Sequence, residues 1–300
     1  MPTFRKTNTR PANPIGQLAG RRPSRLIMTQ SVSLIGYGEA GRTFARAGGW
    51  EASARVYDLK PLDALFAEDG VIGCGTSAEV VAEASAIISV VTADQALIVA
   101  QAAARTIAPG ALFVDMNSVA PNTKRAAAVA IDGAGGRYVD VAGMSPVNPA
   151  RLAVPLFLSG PHAHAGLERL GALGFTNLRI VGDEVGRAST IKMLRSVMYK
   201  GVEALTAECL LACEAAGVTE EVLGSFGNDW SSGADYRLDR MMVHGVRRSA
   251  EMAEVVKTLE DLGVAALMTR GTVERQAQIG GLGIKVPPEG LDAKLERLKP

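Results

Sequence analysis

From Ser31 onward, short apolar runs rich in β-branched residues alternate with alanine-rich stretches of helical period, the pattern of a parallel sheet covered by helices. The runs predict strands at about 32–36, 54–58, 86–91, 112–115, 137–141, 155–159 and 177–181. Between them Glu39–Ala47, Ser77–Ala84, Gln95–Thr106 and Thr123–Ile131 read as helices, two of them closed by the stop signals Gly48-Gly49 and Pro109-Gly110. After Gly182 the pattern is helical only. Glu184–Ala216 reads as one long helix closed by Gly217, and a helix of about 30 residues spans roughly 45 Å, long enough to join two domains. Further helices are expected at 219–228, 235–262, 264–279 and 289–298. The predicted fold is therefore α/β: a Rossmann-type doubly wound sheet over 31–182, followed by a smaller all-helical domain over 183–300.

Composition refines this picture at the N-terminus. The chain of 300 residues carries 32 Lys and Arg against 31 Asp and Glu. Six of the basic side chains (Arg5, Lys6, Arg10, Arg21, Arg22, Arg25) and no acid lie in residues 1–27, so the rest holds 26 basic against 31 acidic residues. Residues 1–30 read as a basic disordered tail or an over-long start preceding Met28, without the apolar stretch of a secretory signal. A mildly acidic remainder gives no footprint for nucleic acid. No run of 18 apolar residues is present, since Asp94 and Gln95 break the best candidate, so no membrane span is expected.

Cysteine and histidine usage points away from disulfides and metals. Cys74, Cys209 and Cys213 make no disulfide framework and no zinc pattern, which fits a reducing cytoplasm. His162 and His164 fall in a Pro/Gly-flanked turn and His244 lies among arginines, positions that suit surface or structural roles.

The candidate chemistry begins at Gly36-Tyr37-Gly38-Glu39-Ala40-Gly41, a GxGxxG that follows an apolar strand and opens a helix. Gly36 suits a tight turn, Gly38 a close approach of a pyrophosphate, and Gly41 close packing of helix on strand. The next strand ends in Asp58, about 20 residues on, where a carboxylate accepts hydrogen bonds from ribose hydroxyls. The cofactor expected is NAD or NADP. Asp58 favours NAD, because it would repel a 2′-phosphate, while Lys60 and Arg55 weaken that preference. Val91 and Thr92 close the strand that normally turns beneath the nicotinamide ribose; for Thr92 a helix N-cap is the competing role.

Four segments resemble the β-hydroxyacid dehydrogenase family, the group of 3-hydroxyisobutyrate and, more distantly, 6-phosphogluconate dehydrogenases. They are Gly36–Gly41 with Asp58; Asp115-Met116-Asn117-Ser118-Val119-Ala120-Pro121, similar to the family's substrate loop; Asp140-Val141-Ala142-Gly143-Met144-Ser145-Pro146 followed by Pro155–Gly160; and Gly186-Arg187-Ala188-Ser189-Thr190-Ile191-Lys192. The likeness runs from 31 to about 220. Asn117 and Ser118 stand where the family has serine and threonine, Met144-Ser145-Pro146 replaces Ser-Gly-Gly, and Ser196 replaces an asparagine. The segment with Trp230, His244, Arg247 and Arg248 finds no counterpart.

The resemblance implies hydride transfer between NAD(P) and a small 3-hydroxy acid or related alcohol, with Lys192 as general acid/base. A lysine set among Ile191, Met193, Leu194, Val197 and Met198 is expected to lose solvation and titrate towards neutrality, although a surface lysine beside Arg195 is the competing role. Asn117, Ser118 and Ser196 are candidate hydrogen-bonding partners of the substrate, with backbone donors around Gly143 and Ser145. Arg195 or Lys200 offers a charge for an anionic group. An imine reductase-like enzyme and a non-catalytic NAD(P)-binding protein of the same fold are the alternatives. A small, anionic substrate and a homodimer built on broad apolar helix faces complete the expectation.

Overall fold

The computed structural model describes residues 32–226 and 230–299; the predicted tail lies outside them. The strands are β1 (Val32–Ile35), β2 (Ala54–Tyr57), β3 (Ile72–Gly73), β4 (Ala86–Ser89), β5 (Leu112–Asp115), β6 (Arg137–Gly143), β7 (Leu156–Ser159) and β8 (Leu178–Gly182). They form one eight-stranded sheet in the order β3-β2-β1-β4-β5-β6-β7-β8. The chain leaves β1 towards one edge and returns to its other side at β4, so the order reverses beside β1. Ligands of open α/β sheets bind in the crevice at such a reversal.

The sheet departs from the wholly parallel expectation at one place. β7 runs antiparallel to β6, with Asp140 opposite Ser159. Residues 144–155 join the two strands without a crossover helix, and a parallel return would need one. Parallel pairing resumes between β7 and β8.

Helices α1 (Glu39–Gly48), α2 (Asp63–Glu68), α3 (Ser77–Val81), α4 (Ala96–Ala103), α5 (Pro121–Gly133) and α6 (Ala163–Ala172) cover the sheet. Neighbouring strand residues serve opposite layers, as the pleat requires. Leu34, Val56, Ile88, Val114 and Val139 pack with Phe44, Leu170 and Phe175. Ile87, Phe113 and Tyr138 pack with Val80, Ala100, Ala127 and Ile131.

Two short elements, β3 and α2, escape a periodicity reading because they offer too few positions. Helix α6 takes the place of the turn expected around His162 and His164. Its glycines suggest a loop, but Gly166 is there for contact: a Cβ would meet Cγ1 of Val139 at 2.8 Å.

Beyond the sheet come α7 (Arg187–Ala216), α8 (Thr219–Ser225), α9 (Trp230–Asp261), α10 (Leu267–Gly280) and α11 (Leu291–Leu298). Helix α7 starts at Arg187 rather than Glu184, because Gly186 before it takes φ +95°. It ends at Gly217, whose left-handed backbone donates to the carbonyl oxygen of Glu214 (3.3 Å). Leu210, Leu238, Met241, Ile279 and Leu295 fill one helical core. Met193, Met252, Val255, Val256 and Leu259 fill a second, nearer the sheet. No helix among the described residues is long and apolar enough to cross a membrane.

Helices α9 and α10 touch backbone to backbone at Gly245 and Gly280. A Cβ on Gly245 would collide with the Gln276 carbonyl oxygen and the Gly280 backbone, and one on Gly280 with Val246 N. Neither obstacle is a flexible side-chain end, so the helices themselves would have to part. Overpacking of this kind costs roughly 1–3 kcal/mol. Gly245→Ala is expected to lower the melting temperature by about 3 °C or more; calorimetry showing no change would place the helices further apart than the structure does.

Candidate active site

The glycine turn after β1 is shaped by contacts that leave no space for side chains at two of its positions. Gly36 has φ +98°, donates its N–H to the Tyr57 carbonyl (2.8 Å), and a Cβ there would meet the Val90 carbonyl oxygen at 2.5 Å. A Cβ on Gly41 would strike the Gly36 carbonyl, which is how helix and strand come close. Gly38 is different: it is exposed and nothing lies within 4 Å of where its Cβ would be.

The start of α1, at Glu39 and Ala40, opens onto that space. Their N–H groups and that of Gly41 have no partner among the described residues, and such donors with a helix dipole behind them form an anion site. These residues fit the pyrophosphate of a dinucleotide, whose backbone contact Gly38 leaves open.

Tyr37 serves the turn from beneath. Its N–H goes to Asp58 Oδ2 (2.7 Å), its ring meets Phe66 edge-on, and its hydroxyl donates to Asp69 (3.1 Å), which Arg42 also holds (2.6 Å). Burial and the Asp69 carboxylate push that hydroxyl above its ordinary value. Tyr37 thus braces the loop and has neither N–H nor hydroxyl to offer a cofactor. Asp58 accepts from Tyr37 and from the Lys60 N–H (2.9 Å). A carboxylate has about four acceptor positions, so it retains capacity for ribose hydroxyls.

At the end of β4, Val91 donates its N–H to Asn117 Oδ1 (2.6 Å), and Asn117 Nδ2 donates to Ser89 Oγ (2.9 Å). Asn117 is 3% exposed; it is a clamp between strand ends, with its carbonyl committed to the protein. Exposed Thr92 and Asp94 make a local turn, the Asp94 carboxyl being lowered by hydrogen bonds from Gln95 and Thr92. Ser118, the next residue after the clamp, has a buried hydroxyl with no hydrogen-bond partner among the described residues. A buried polar atom left so is costly unless a ligand completes it.

The start of α7 is bound to the sheet by one carboxylate. Asp140, fully buried on β6, accepts from Gly186 N (3.1 Å), Ser189 N (3.2 Å), Ser189 Oγ (2.6 Å) and Ser159 Oγ (2.9 Å). Ser159 Oγ in turn accepts from Ala188 N (3.0 Å). Lys124, from α5, lies 3.4 Å from Asp140 and 2.9 Å from Asp115, and Tyr138 donates to Asp115 (2.6 Å).

Lys192 comes one turn beyond Ser189. It is half-buried and its amine makes no hydrogen bond or ion pair among the described residues. Burial pushes that amine down to about 8, against the opposing charge of Glu251 and with the help of Lys200, Lys124 and Arg247. Ser196 donates its hydroxyl back to the Lys192 carbonyl (3.0 Å), and Arg195 donates to the Met144 carbonyl (2.7 Å), tying α7 to the loop after Gly143. Exposed Ser145 donates to the Pro146 carbonyl (3.2 Å). Lys192 and Ser118 thus retain unsatisfied polar atoms at the carboxyl edge of the sheet, whereas Ser196 and Asn117 spend theirs on the protein.

Helix α9 contributes residues that the strand-and-motif reading did not assign. Glu251 pairs with Lys200 (2.5 Å) and lies 3.6 Å from Arg247. Burial alone would raise Glu251, but Lys200, Lys192 and Arg247 outweigh it and hold the carboxyl at about 2. Glu254 accepts the Ala120 N–H (2.8 Å) at the end of the substrate-loop segment. His244 is lowered by burial and by Arg240 and Arg247, while Glu39 raises it.

The chain matches the NAD binding domain of 6-phosphogluconate dehydrogenase over residues 31–160 and a domain of unknown function (DUF1932) over 214–279. A conserved hypothetical protein from Sinorhizobium meliloti 1021 is 38% identical over 91% of this chain and 98% of its own, with a TM-score of 0.70. A second solved structure is of a conserved protein of unknown function described as structurally similar to 3-hydroxyacid dehydrogenases. It is 31% identical over 85% of this chain and 98% of its own, at TM-score 0.64.

This chain is a divergent β-hydroxyacid dehydrogenase family member. The 3-hydroxyisobutyrate dehydrogenase of Mycobacterium tuberculosis, solved with L-serine, shares the fold at 16% identity and TM-score 0.71, covering 91% of this chain and 100% of its own.

As a member of this family the protein carries an NAD(P)-binding domain, whose signature is the open face of Gly38. Gly38→Leu is expected to fill that face and abolish NAD(P)H binding while leaving the melting temperature in place, since the Cβ enters open space and Gly38 is exposed. Unchanged NADH fluorescence enhancement on titrating the variant would remove the turn from the cofactor site.

Proposed function

We propose that this protein oxidises a small 3-hydroxy acid or related alcohol, or reduces the corresponding carbonyl, with NAD as the preferred cofactor. The observation that carries the reading is the unpaired amine of Lys192, desolvated one turn past the Asp140-bound start of α7. Bound NAD(P) supplies the hydride acceptor. Removal of a hydride from an alcohol carbon requires the hydroxyl proton to leave, and a neutral lysine amine is the group placed to take it. The unpartnered Ser118 hydroxyl is assigned to the substrate oxygen or carboxylate, with backbone donors near Gly143 and Ser145 on the opposite wall. Asp58, at the end of β2 with spare acceptor positions, supports NAD over NADP.

Exposed Arg195, which donates to the Met144 carbonyl at the loop after Gly143, is the cation assigned to an anionic substrate group, Lys200 being committed to Glu251. Exposed Leu194, Met198 and Leu205 on α7, with Val243 and Val246 on α9, support a homodimer through the helical region; sedimentation at twice the chain mass is the check.

Titration with NADH and NADPH, followed by a panel of hydroxy acids assayed with the tighter cofactor, tests the activity. Tight binding with no turnover across that panel would instead favour a non-catalytic NAD(P)-binding protein.

The role of Lys192 has a double signature. A neutral amine is the active form for oxidation, so the rate should rise as pH climbs through about 8, and the reverse reduction should fall over the same range. Lys192→Met should lower kcat by about 10²–10⁴ and abolish that limb. The same variant should be more stable near neutral pH. A lysine lowered from 10.5 to about 8 by folding is charged in both states below pH 8, where the penalty of burying the charge is fully felt. The penalty fades as pH rises from about 8 to 10.5, and it amounts to roughly 3 kcal/mol before allowance for the half-buried side chain. Reduced turnover together with a raised melting temperature is the expected pair; retained turnover would exclude the amine from the chemistry.

A further inference from the structure

We propose that Glu251, bridged to Lys200 between α9 and α7, is a positioning residue that keeps the Lys192 amine able to exchange a proton; this rests on the reading of Lys192 as the proton acceptor. The geometry sets the pair apart from ordinary interhelical ion pairs. Lys200 is 7% exposed and Glu251 is half-buried, with Oε2 on Lys200 Nζ (2.5 Å) and Oε1 towards Arg247 Nη1 (3.6 Å). Burying such a pair seldom adds stability over a well-packed apolar contact. The neighbouring contact of the same two helices is indeed apolar, through Met193, Met252, Val255 and Val256. A separate polar clasp, Arg248 with Glu203 and Gln276, already fixes the helices further along. Holding α7 to α9 therefore does not require charges at Glu251 and Lys200.

Their effect on Lys192 supplies the reason. The charged groups that act most strongly on its amine are Glu251 and Arg247 from α9, Lys200 from its own helix, and Lys124 from α5, the last already committed to Asp115 and Asp140. Glu251 is the anion among these. Without it, the neighbouring cations and the desolvated site would oppose the ammonium unchecked, so the amine would hold its proton over a lower pH range and return one less readily in the reductive direction. Without Lys200, Glu251 would turn its charge on Lys192 and hold the proton there. The pair therefore bounds the amine from both sides, and its two members act with opposite sign.

Opposite signs give a test that needs no substrate. In the full-length protein, trace acetylation with acetic anhydride across a pH series, read at Lys192 by peptide mass spectrometry, reports the fraction of neutral amine. Glu251→Gln should move the midpoint down and Lys200→Met should move it up, each by at least about tenfold in the amine-to-ammonium ratio, one pH unit. Glu251→Asp should stay near the wild type. Midpoints that coincide in all four proteins, or that move in the same direction in both charge-removing variants, would overturn the proposal, and a purely structural pair would change the melting temperature alone. Should Glu251→Gln fail to fold, Lys200→Met decides by its upward shift or the lack of one. Loss of turnover in Lys192→Met bears on the chemistry of the amine and is independent of this result.

Discussion

The carboxylate of Asp140 is the constraint on which the site depends. It is fully buried, and it is balanced by donors from three directions: the opening of α7, the hydroxyl of Ser159 on β7, and the Lys124 amine from α5. An unpaired carboxylate there would be prohibitively costly, so the donors must arrive together. Their convergence sets where the 30-residue helix α7 leaves the sheet and at what rotation. Lys192 inherits its place from that anchoring, since a helix held at Ser189 fixes the direction of the side chain three residues later. The antiparallel turn of β7 belongs to the same constraint, because it brings Ser159 opposite Asp140 in register.

Around this anchor the protein divides its polar groups into those it satisfies and those it leaves open. Asn117, Ser189, Ser196 and Tyr37 all complete their hydrogen bonds internally, and each fixes a piece of backbone in doing so. Ser118, Lys192, the α1 N-terminus and part of Asp58 do not. Where such a group is buried, as the Ser118 hydroxyl is, it costs stability until a ligand completes it, whereas the exposed donors at the start of α1 are met by water. All of these groups lie along the carboxyl edge of the sheet, where the strand order reverses, so they stand open where a nucleotide and a second small molecule can complete them.

Much of this was legible in the residues themselves. Strands β1, β2, β4 and β5 are short apolar runs, and the glycines of 36–41 report steric limits that the backbone confirms at Gly36 and Gly41. Local chemistry also marks Lys192, through the apolar residues on both sides of it. What was not legible depends on contacts distant in sequence. Glu254 meets Ala120 across 134 positions and Glu251 meets Lys200 across 51, and no local period encodes either meeting. Asn117 shows the converse limit: a polar residue in a substrate-loop pattern turns its amide inward to Ser89 and Val91, a choice set by a strand that lies nearly thirty positions earlier.

These long-range contacts also connect the two regions of the chain in a particular way. Glu254 holds the N–H of Ala120 just after Ser118, while Glu251, one turn earlier on the same helix, answers Lys200 on α7. The substrate-loop segment and the lysine helix are thereby referenced to a single rigid element, α9, instead of to each other through flexible loops. Displacing α9 would alter the surroundings of Ser118 and Lys192 together. The backbone contact of Gly245 with Gly280 limits such a displacement, because α9 has no side-chain cushion against α10 at that point. A pair of glycines far from the chemistry thus contributes to the precision of the site. The helical region is in that sense part of the geometry of the candidate site, although every motif that announces the family to a sequence reader lies before it or at its opening.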